Sequence, residues 1–386
     1  MTDEECIIDN LPDIVDVGHI LDIIEGMGAK VVREGRKVRI HAKDIDPTKI
    51  NHDLVRKMRD SVMLFGALLG RFKEVTLASP GGDKIGARQI ETHLNAFIAL
   101  GAEVSQENGY HRVRAKKLVG TAIVLDEMSV TGTVNAMLAA VLAEGTTVIR
   151  HAAAEPHVDN VMQLLNEMGG NVSWAGNHVI QVEGVKKLHG ANHAINPDYI
   201  EMWTFLALGA ATKSKISIQP FIPEYLETEL VHFKDMGGKY DIKGDILTLE
   251  PAELRAPKHR VHSMPFPGFA ADNIPPFVVL ATQAQGSTLV MEWMYEGRQK
   301  YVYDLIRMGA DATILDPHRI LVKGPTPLYG REATSYDVRA GATMIIAAMV
   351  AQGESVVTDI EQLDRGYEKV ENRLNAVGAN IKRVNG

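Results

Sequence analysis

The feature that most constrains this chain is a motif that returns six times at a spacing of about 70 residues. Each copy runs from an amphipathic helix through a Gly-centred turn into a strand. The turns begin at Met27, Leu100, Met168, Met236, Met308 and Val377, reading MGAKV, LGAEV, MGGNV, MGGKY, MGADA and VGANI. Each glycine falls where a helix ends and the backbone must take a positive φ, which a residue without Cβ adopts at little cost. Ahead of the turns, apolar residues three and four apart, such as Ile90, Leu94, Phe97 and Ile98, mark a helix with one buried stripe. Behind them, segments such as AKVVREGRKVRIHA read as a pair of strands joined by a polar turn.

A second kind of helix, richer in Ala, Met and Leu, precedes a β-branched strand in SVMLFGALLGRFKEVTL, VNAMLAAVLAEGTTVIR, MWTFLALGAATKSKISI, FVVLATQAQGSTLVM and TMIIAAMVAQGESVVTDI. These helices are apolar nearly all round, which predicts that they lie inside a domain. Six first helices against five second helices predict a first repeat that is incomplete, entered at the strand CIIDNLP. The expected architecture is an α/β (α+β) fold of six βαβαββ repeats gathered as two domains of three, residues 1–196 and 197–386. The handover is expected in GVKKLHGANHAINPD, residues 184–198.

Composition narrows the function. With 45% hydrophobic and 23% charged residues the chain reads as a globular protein with material for two cores. A formal charge of -8 lacks the basic field that nucleic-acid binders carry, so a small-molecule partner is expected. The lone cysteine, Cys6, rules out an internal disulfide and a thiolate metal cluster. No apolar run reaches the roughly 20 residues that span a bilayer. The start MTDEECIIDN has no signal-peptide pattern, so a cytoplasmic protein is expected.

Eight strings carry a more specific signal. The longest is SPGGDKIGARQIETHLNAFIALGAEV from Ser79 to Val104, and the others are MRDS at Met58, SVTGT at Ser129, HAAAEP at His151, PGFAAD at Pro267, EGR at Glu296, YDVRAG at Tyr336 and LDRGYE at Leu363. In this order they resemble the enolpyruvyl transferases, and within them the branch that acts on UDP-N-acetylglucosamine. The resemblance covers nearly the whole chain and implies the two-domain inside-out α/β barrel of that family. It implies transfer of the enolpyruvyl group of phosphoenolpyruvate to the 3-hydroxyl of UDP-N-acetylglucosamine with release of phosphate, the first committed step of peptidoglycan synthesis. It implies no metal and no organic cofactor, and the sequence shows no HExxH, CxxC or phosphate-loop signature.

The chemistry sets the candidate residues. Phosphoenolpyruvate brings a phosphate and a carboxylate, and arginine suits both because its planar fork donates in pairs. Arg59, Arg88, Arg298, Arg339 and Arg365 each stand inside one of the strings. Addition needs a base for the sugar hydroxyl and an acid for the methylene carbon. By the resemblance Asp272 is the base, although its place before Ile274 and Pro275 also fits a helix cap. Asp83 stands where the family usually has a loop cysteine, beside Gly81 and Gly82, and is the expected acid in a loop that swings over substrate. Arg365 is the third expected catalytic residue. Carried over by the same strings, the substrate contacts are Arg59, Arg88, Gln89, Ile90, Glu91, Thr92, Ser129, Val130, Asp272, Met294, Arg298, Arg339 and Arg365.

The chain also departs from the pattern. The uridine-contacting run RPVDLH reads Arg88-Gln89-Ile90-Glu91-Thr92-His93, and Glu127 replaces a basic residue two before Ser129. By the resemblance a Lys-Asn pair opens the first buried helix, and this sequence is expected to lack that segment. Two rival readings stay open at this point: an enolpyruvyl transferase for another acceptor, such as a shikimate phosphate or a nucleotide, and a catalytically silent homologue or fragment that binds a nucleotide sugar.

Overall fold

The computed structural model describes residues 1–384. It contains all the first helices, at Val15–Gly26, Glu91–Ala99, Pro156–Glu167, Glu227–Asp235, Lys300–Arg307 and Val370–Ala376. The glycines that follow them, from Gly28 to Gly378, all have φ between +89° and +111°. The second helices are Leu64–Phe72, Val130–Ala140, Tyr199–Ala211, Ile274–Thr282 and Val338–Val350, again five among the described residues. Every residue of Ile274–Thr282 is buried, whereas Lys300–Arg307 buries only Tyr301, Val302, Asp304 and Leu305. The contrast follows from sequence, since an all-apolar helix gains by burial on every side and an amphipathic one only along its stripe.

The chain separates into two compact units, residues 1–83 with 88–196 and residues 84–87 with 197–386. In the first unit the sheet Ala122–Val124, Thr146–Arg150, Val179–Glu183, Asn171–Gly176 pairs its first two strands in parallel and the rest antiparallel. A second sheet repeats this order with Asn192–Ala194 beside Glu5–Asp9, then Lys37–His41 and Lys30–Glu34. The segment read as a handover thus supplies a strand: Asn192–Ala194 closes the first sheet of its own unit. The second unit repeats the order in Val261–His262, Gly286–Met291, Arg319–Gly324 and Asp311–Asp316. Each unit has its own apolar core, built on the second helices and the inner faces of the sheets.

One expectation fails. After Gly378 no strand forms among the described residues: Asn375 holds the N–H and C=O of Ile381 at 3.1 and 2.8 Å, as Asn166 holds those of Val172 in the paired strand Asn171–Gly176, but no partner strand pairs with Ile381.

Candidate active site

Helix-crossed parallel strands leave their functional side chains beyond the carboxyl ends of the strands, and the second unit follows that rule. Ser263 and the loop to Asp272 follow Val261–His262, while Glu292, Met294 and Arg298 follow Gly286–Met291. Asp337 and Arg339 follow Glu332–Thr334, and Arg365 and Tyr367 follow Val356–Thr358.

Asp272 does not cap the next helix. Asn273 holds the cap position, without a side-chain bond, and the Asp272 carboxylate turns to two arginines instead. Arg298 Nη2 donates to Oδ1 at 2.7 Å, and Arg339 Nε donates to Oδ2 at 2.9 Å. Burial would raise this half-buried carboxyl, but Arg298 and Arg339 outweigh it and hold Asp272 well below the usual carboxylate range. Its backbone is fixed from beneath. Glu229, 2% exposed, accepts from Ala270 N and Asn273 Nδ2, both at 2.8 Å, and Trp203 Nε1 donates to Asn273 O at 3.0 Å. Arg339 Nη1 also reaches Tyr367 Oη at 3.2 Å, and that phenol pairs with Thr204 Oγ1 at 2.8 Å. Burial raises the Tyr367 phenol against the pull of Arg339.

Glu292 lies on the far side of Arg298. Its Oε1 accepts from Ser263 Oγ at 2.9 Å and from Met294 N at 2.8 Å, so it also sets the backbone of Met294. Burial raises the Glu292 carboxyl while Arg298 draws it down. Arg365 donates to Gln362 Oε1 at 3.1 Å.

The first unit gathers the other candidates. Arg59 donates to the carbonyls of Arg88 and Gln89 at 2.6 and 2.7 Å, so one guanidinium shapes the run that opens the helix Glu91–Ala99. Ile90 is at the cap position, Glu91 is exposed and Thr92 is buried. Val130 opens the helix Val130–Ala140, capped by Ser129 Oγ accepting from Gly132 N at 3.1 Å. The two helix starts meet through His93, 1% exposed, with Nε2 at 3.3 Å from Thr131 Oγ1 and Nδ1 at 2.7 Å from Asn135 Nδ2. Burial first and the nearby Arg59 second hold this imidazole down to about 3, so it is neutral. Glu127 is exposed.

Gly81 and Gly82 stand where the backbone of this loop passes close to residues 56–59. A Cβ on Gly81 would lie 1.7 Å from Arg56 O, and one on Gly82 would lie 2.8 Å from Arg59 Cβ, with φ already at +106°. Glycine is required here by close packing of the loop on residues 56–59. Asp83 follows, half-buried. Lys84–Ala87 belong to the second unit, where Gly297 N donates to Ile85 O at 2.9 Å and Ala87 N donates to Glu296 Oε1 at 3.0 Å.

The pattern of EPSP synthase (3-phosphoshikimate 1-carboxyvinyltransferase) matches residues 1–374. The chain belongs to the EPSP synthase family. Among family members it is 39% identical over 391 residues to a UDP-N-acetylglucosamine 1-carboxyvinyltransferase of Borrelia garinii subsp. bavariensis, covering 100% of this chain and 92% of that one. It is 40% identical over 386 residues to UDP-N-acetylglucosamine 1-carboxyvinyltransferase 1 of Carboxydothermus hydrogenoformans, covering 100% and 91%. The crystal structure of an enolpyruvyl transferase from Streptomyces tendae shares the fold with a TM-score of 0.88 at 24% identity, over 99% of this chain and 91% of that one. An EPSP synthase from Acinetobacter baumannii shares it with a TM-score of 0.73 at 18% identity, over 100% and 92%. The expected enolpyruvyl-transferase fold is thereby borne out, and the protein is an enzyme of the transferase class.

Within this EPSP synthase family site, sequence reasoning missed Glu292, Glu229 and Tyr367. The one available signal was a glutamate in the otherwise apolar strand end LVMEWM, which asks for a partner if the strand is buried.

Proposed function

We propose that this transferase moves the enolpyruvyl group of phosphoenolpyruvate to the 3-hydroxyl of UDP-N-acetylglucosamine and releases phosphate, serving cell-wall biogenesis in the cytoplasm. The observation that carries the reading is the full-length match, at 38–40% identity, to curated relatives named for that activity. In the addition step the hydroxyl oxygen bonds to the substituted carbon of the enol while its proton passes to Asp272. The methylene carbon takes a proton from Asp83 and becomes a methyl; loss of a proton from that methyl then re-forms the C=C bond as the carbon–oxygen bond to phosphate breaks and phosphate leaves. Arg59, Arg88, Arg298, Arg339 and Arg365 are the proposed anion receptors, and Gln89, Ile90, Glu91, Thr92, Ser129, Val130 and Met294 the proposed contacts to the nucleotide sugar.

Phosphate release from phosphoenolpyruvate, measured with UDP-N-acetylglucosamine, shikimate 3-phosphate and UMP in parallel, tests the acceptor. Release with the first alone is expected. Release only with either of the others moves the chain to another enolpyruvyl transfer, and release with none makes it a silent homologue.

A further inference from the structure

The two arginines on Asp272 pose a chemical problem. A base must present a lone pair of adequate basicity, yet both carboxylate oxygens of Asp272 accept charge-assisted bonds from guanidinium groups. The resolution lies on the opposite side of Arg298. That side chain is 4% exposed, and its Nε and Nη1 have no hydrogen-bond acceptor. Glu292, 2% exposed, has one oxygen held by Ser263 and Met294, and the other, Oε2, has no donor. Arg298 Nη1 and Glu292 Oε2 face each other across 3.7 Å, about 1 Å beyond a charge-assisted bond. A donor and an acceptor that are both buried and unpaired, and that one small side-chain rotation would join, are costly to keep apart.

We propose that Glu292 is a positioning residue that takes Arg298 over from Asp272 in the substrate complex, leaving Asp272 basic enough to remove the hydroxyl proton. The inference rests on enolpyruvyl transfer being the reaction. The buried cation stays paired throughout, because Arg298 exchanges one carboxylate for another. The O–H bond of the acceptor breaks as its oxygen bonds to carbon, and the proton ends on Asp272 Oδ1. Other charged or titratable groups facing Arg298 are Asp337, at the start of Val338–Val350, and Tyr295, whose ring centroid lies 4.7 Å from the guanidinium. Tyr301 faces Glu292 and Arg298 from Lys300–Arg307, and Asp198 faces Arg339. Of these Asp337 is also a buried carboxylate, its Oδ1 accepting from Arg339 N and Ala340 N at 2.9 and 3.0 Å at the start of its helix; Glu292 is the one whose oxygen faces Arg298 Nη1 at 3.7 Å.

The test uses the full chain with phosphoenolpyruvate and UDP-N-acetylglucosamine, reading kcat, KM and the pH profile of kcat by phosphate release. Glu292→Gln keeps the shape but not the charge. It is expected to lower kcat by about 10- to 100-fold with KM within about twofold, and to move the acid limb down by about one pH unit because Asp272 stays clamped. Glu292→Asp keeps the charge and should recover part of the loss. A kcat within twofold of wild type and an unmoved limb in Glu292→Gln overturn the proposal, as do equal losses in both variants without a limb shift. Should Glu292→Gln fail to fold, the limb of Glu292→Asp decides, an unmoved one being fatal. Wild-type chain that releases no phosphate with UDP-N-acetylglucosamine overturns the functional reading and this inference with it. Wild-type turnover with an unmoved Glu292→Gln profile overturns the role of Glu292 alone.

Discussion

Asn135→Ala is expected to destabilise the first unit by about 2–4 kcal/mol, and the geometry gives the figure. Asn135 is 0% exposed. Its Oδ1 accepts from Gly66 N at 2.8 Å, and its Nδ2 donates to Val62 O at 2.9 Å and to His93 Nδ1 at 2.7 Å. Gly66 and Val62 are four residues apart, the pair that would bond directly in a regular helix, so the amide is inserted into the ladder. Truncation leaves a donor, an acceptor and a ring nitrogen unpaired where water does not reach, at about 1–3 kcal/mol each. Direct closure of Gly66 N on Val62 O offsets part of that sum. Collapse of the neighbouring helix offsets little, because a Cβ on Gly66 would already lie 2.5 Å from Asn135 O. Urea unfolding gives the stability change, and hydrogen exchange of the Gly66 amide gives its local cause. A loss below about 1 kcal/mol with that amide as protected as in wild type would refute the reasoning. If His93 positions the start of Val130–Ala140 for the nucleotide sugar, KM for UDP-N-acetylglucosamine rises in the same variant.

His93 carries a pH signature. Its folded value, about 3, lies below the ordinary 6.5, so the unfolded chain binds the extra proton first. Stability is therefore complete above pH 6.5 and falls by about 1.4 kcal/mol per unit as pH drops toward 3; His93→Gln should flatten that slope in urea titrations. Asp272 behaves in the usual carboxylate sense. Its folded value is depressed, so the stability it adds is present above an unfolded value near ~3.9 and is lost at lower pH. Asp272→Asn is expected to cost about 2–4 kcal/mol at pH 7, less than a fully buried pair because the side chain is 33% exposed, and to abolish phosphate release; the gap to wild type in urea midpoint should narrow below about pH 4. Finally, a carboxylate at position 83 is a much weaker nucleophile than a thiol toward an epoxide, so fosfomycin should leave turnover intact, and mass spectrometry finding the label on Asp83 would contradict this.

The fold was legible wherever one residue or one short run dictates its own conformation. A glycine at each helix end has no substitute at φ near +100°, and a helix such as IPPFVVLAT has no polar face to leave in water. The sixth hairpin misled because a strand pattern is local whereas a strand exists only where a partner pairs with it, and among the described residues none pairs with the segment after Gly378. The strings put forward the arginines and Asp272 as candidates, but said nothing of how Asp272 would be bonded.

What stayed hidden shares a physical cause. A buried polar side chain is defined by partners, and here the partners are far apart in sequence: Ser263 and Glu292 by 29 residues, Glu229 and Asn273 by 44, Gly66 and Asn135 by 69, Thr204 and Tyr367 by 163. Most of these separations cross from one repeat to another. In a fold of repeats the shared hydrophobic pattern places no functional residue by itself. Buried polar side chains depart from it, and each is affordable only where its bonds are completed: Glu292 finds Ser263 and Met294 within its own repeat, whereas Asn135 finds Gly66 and Val62 in the repeat before.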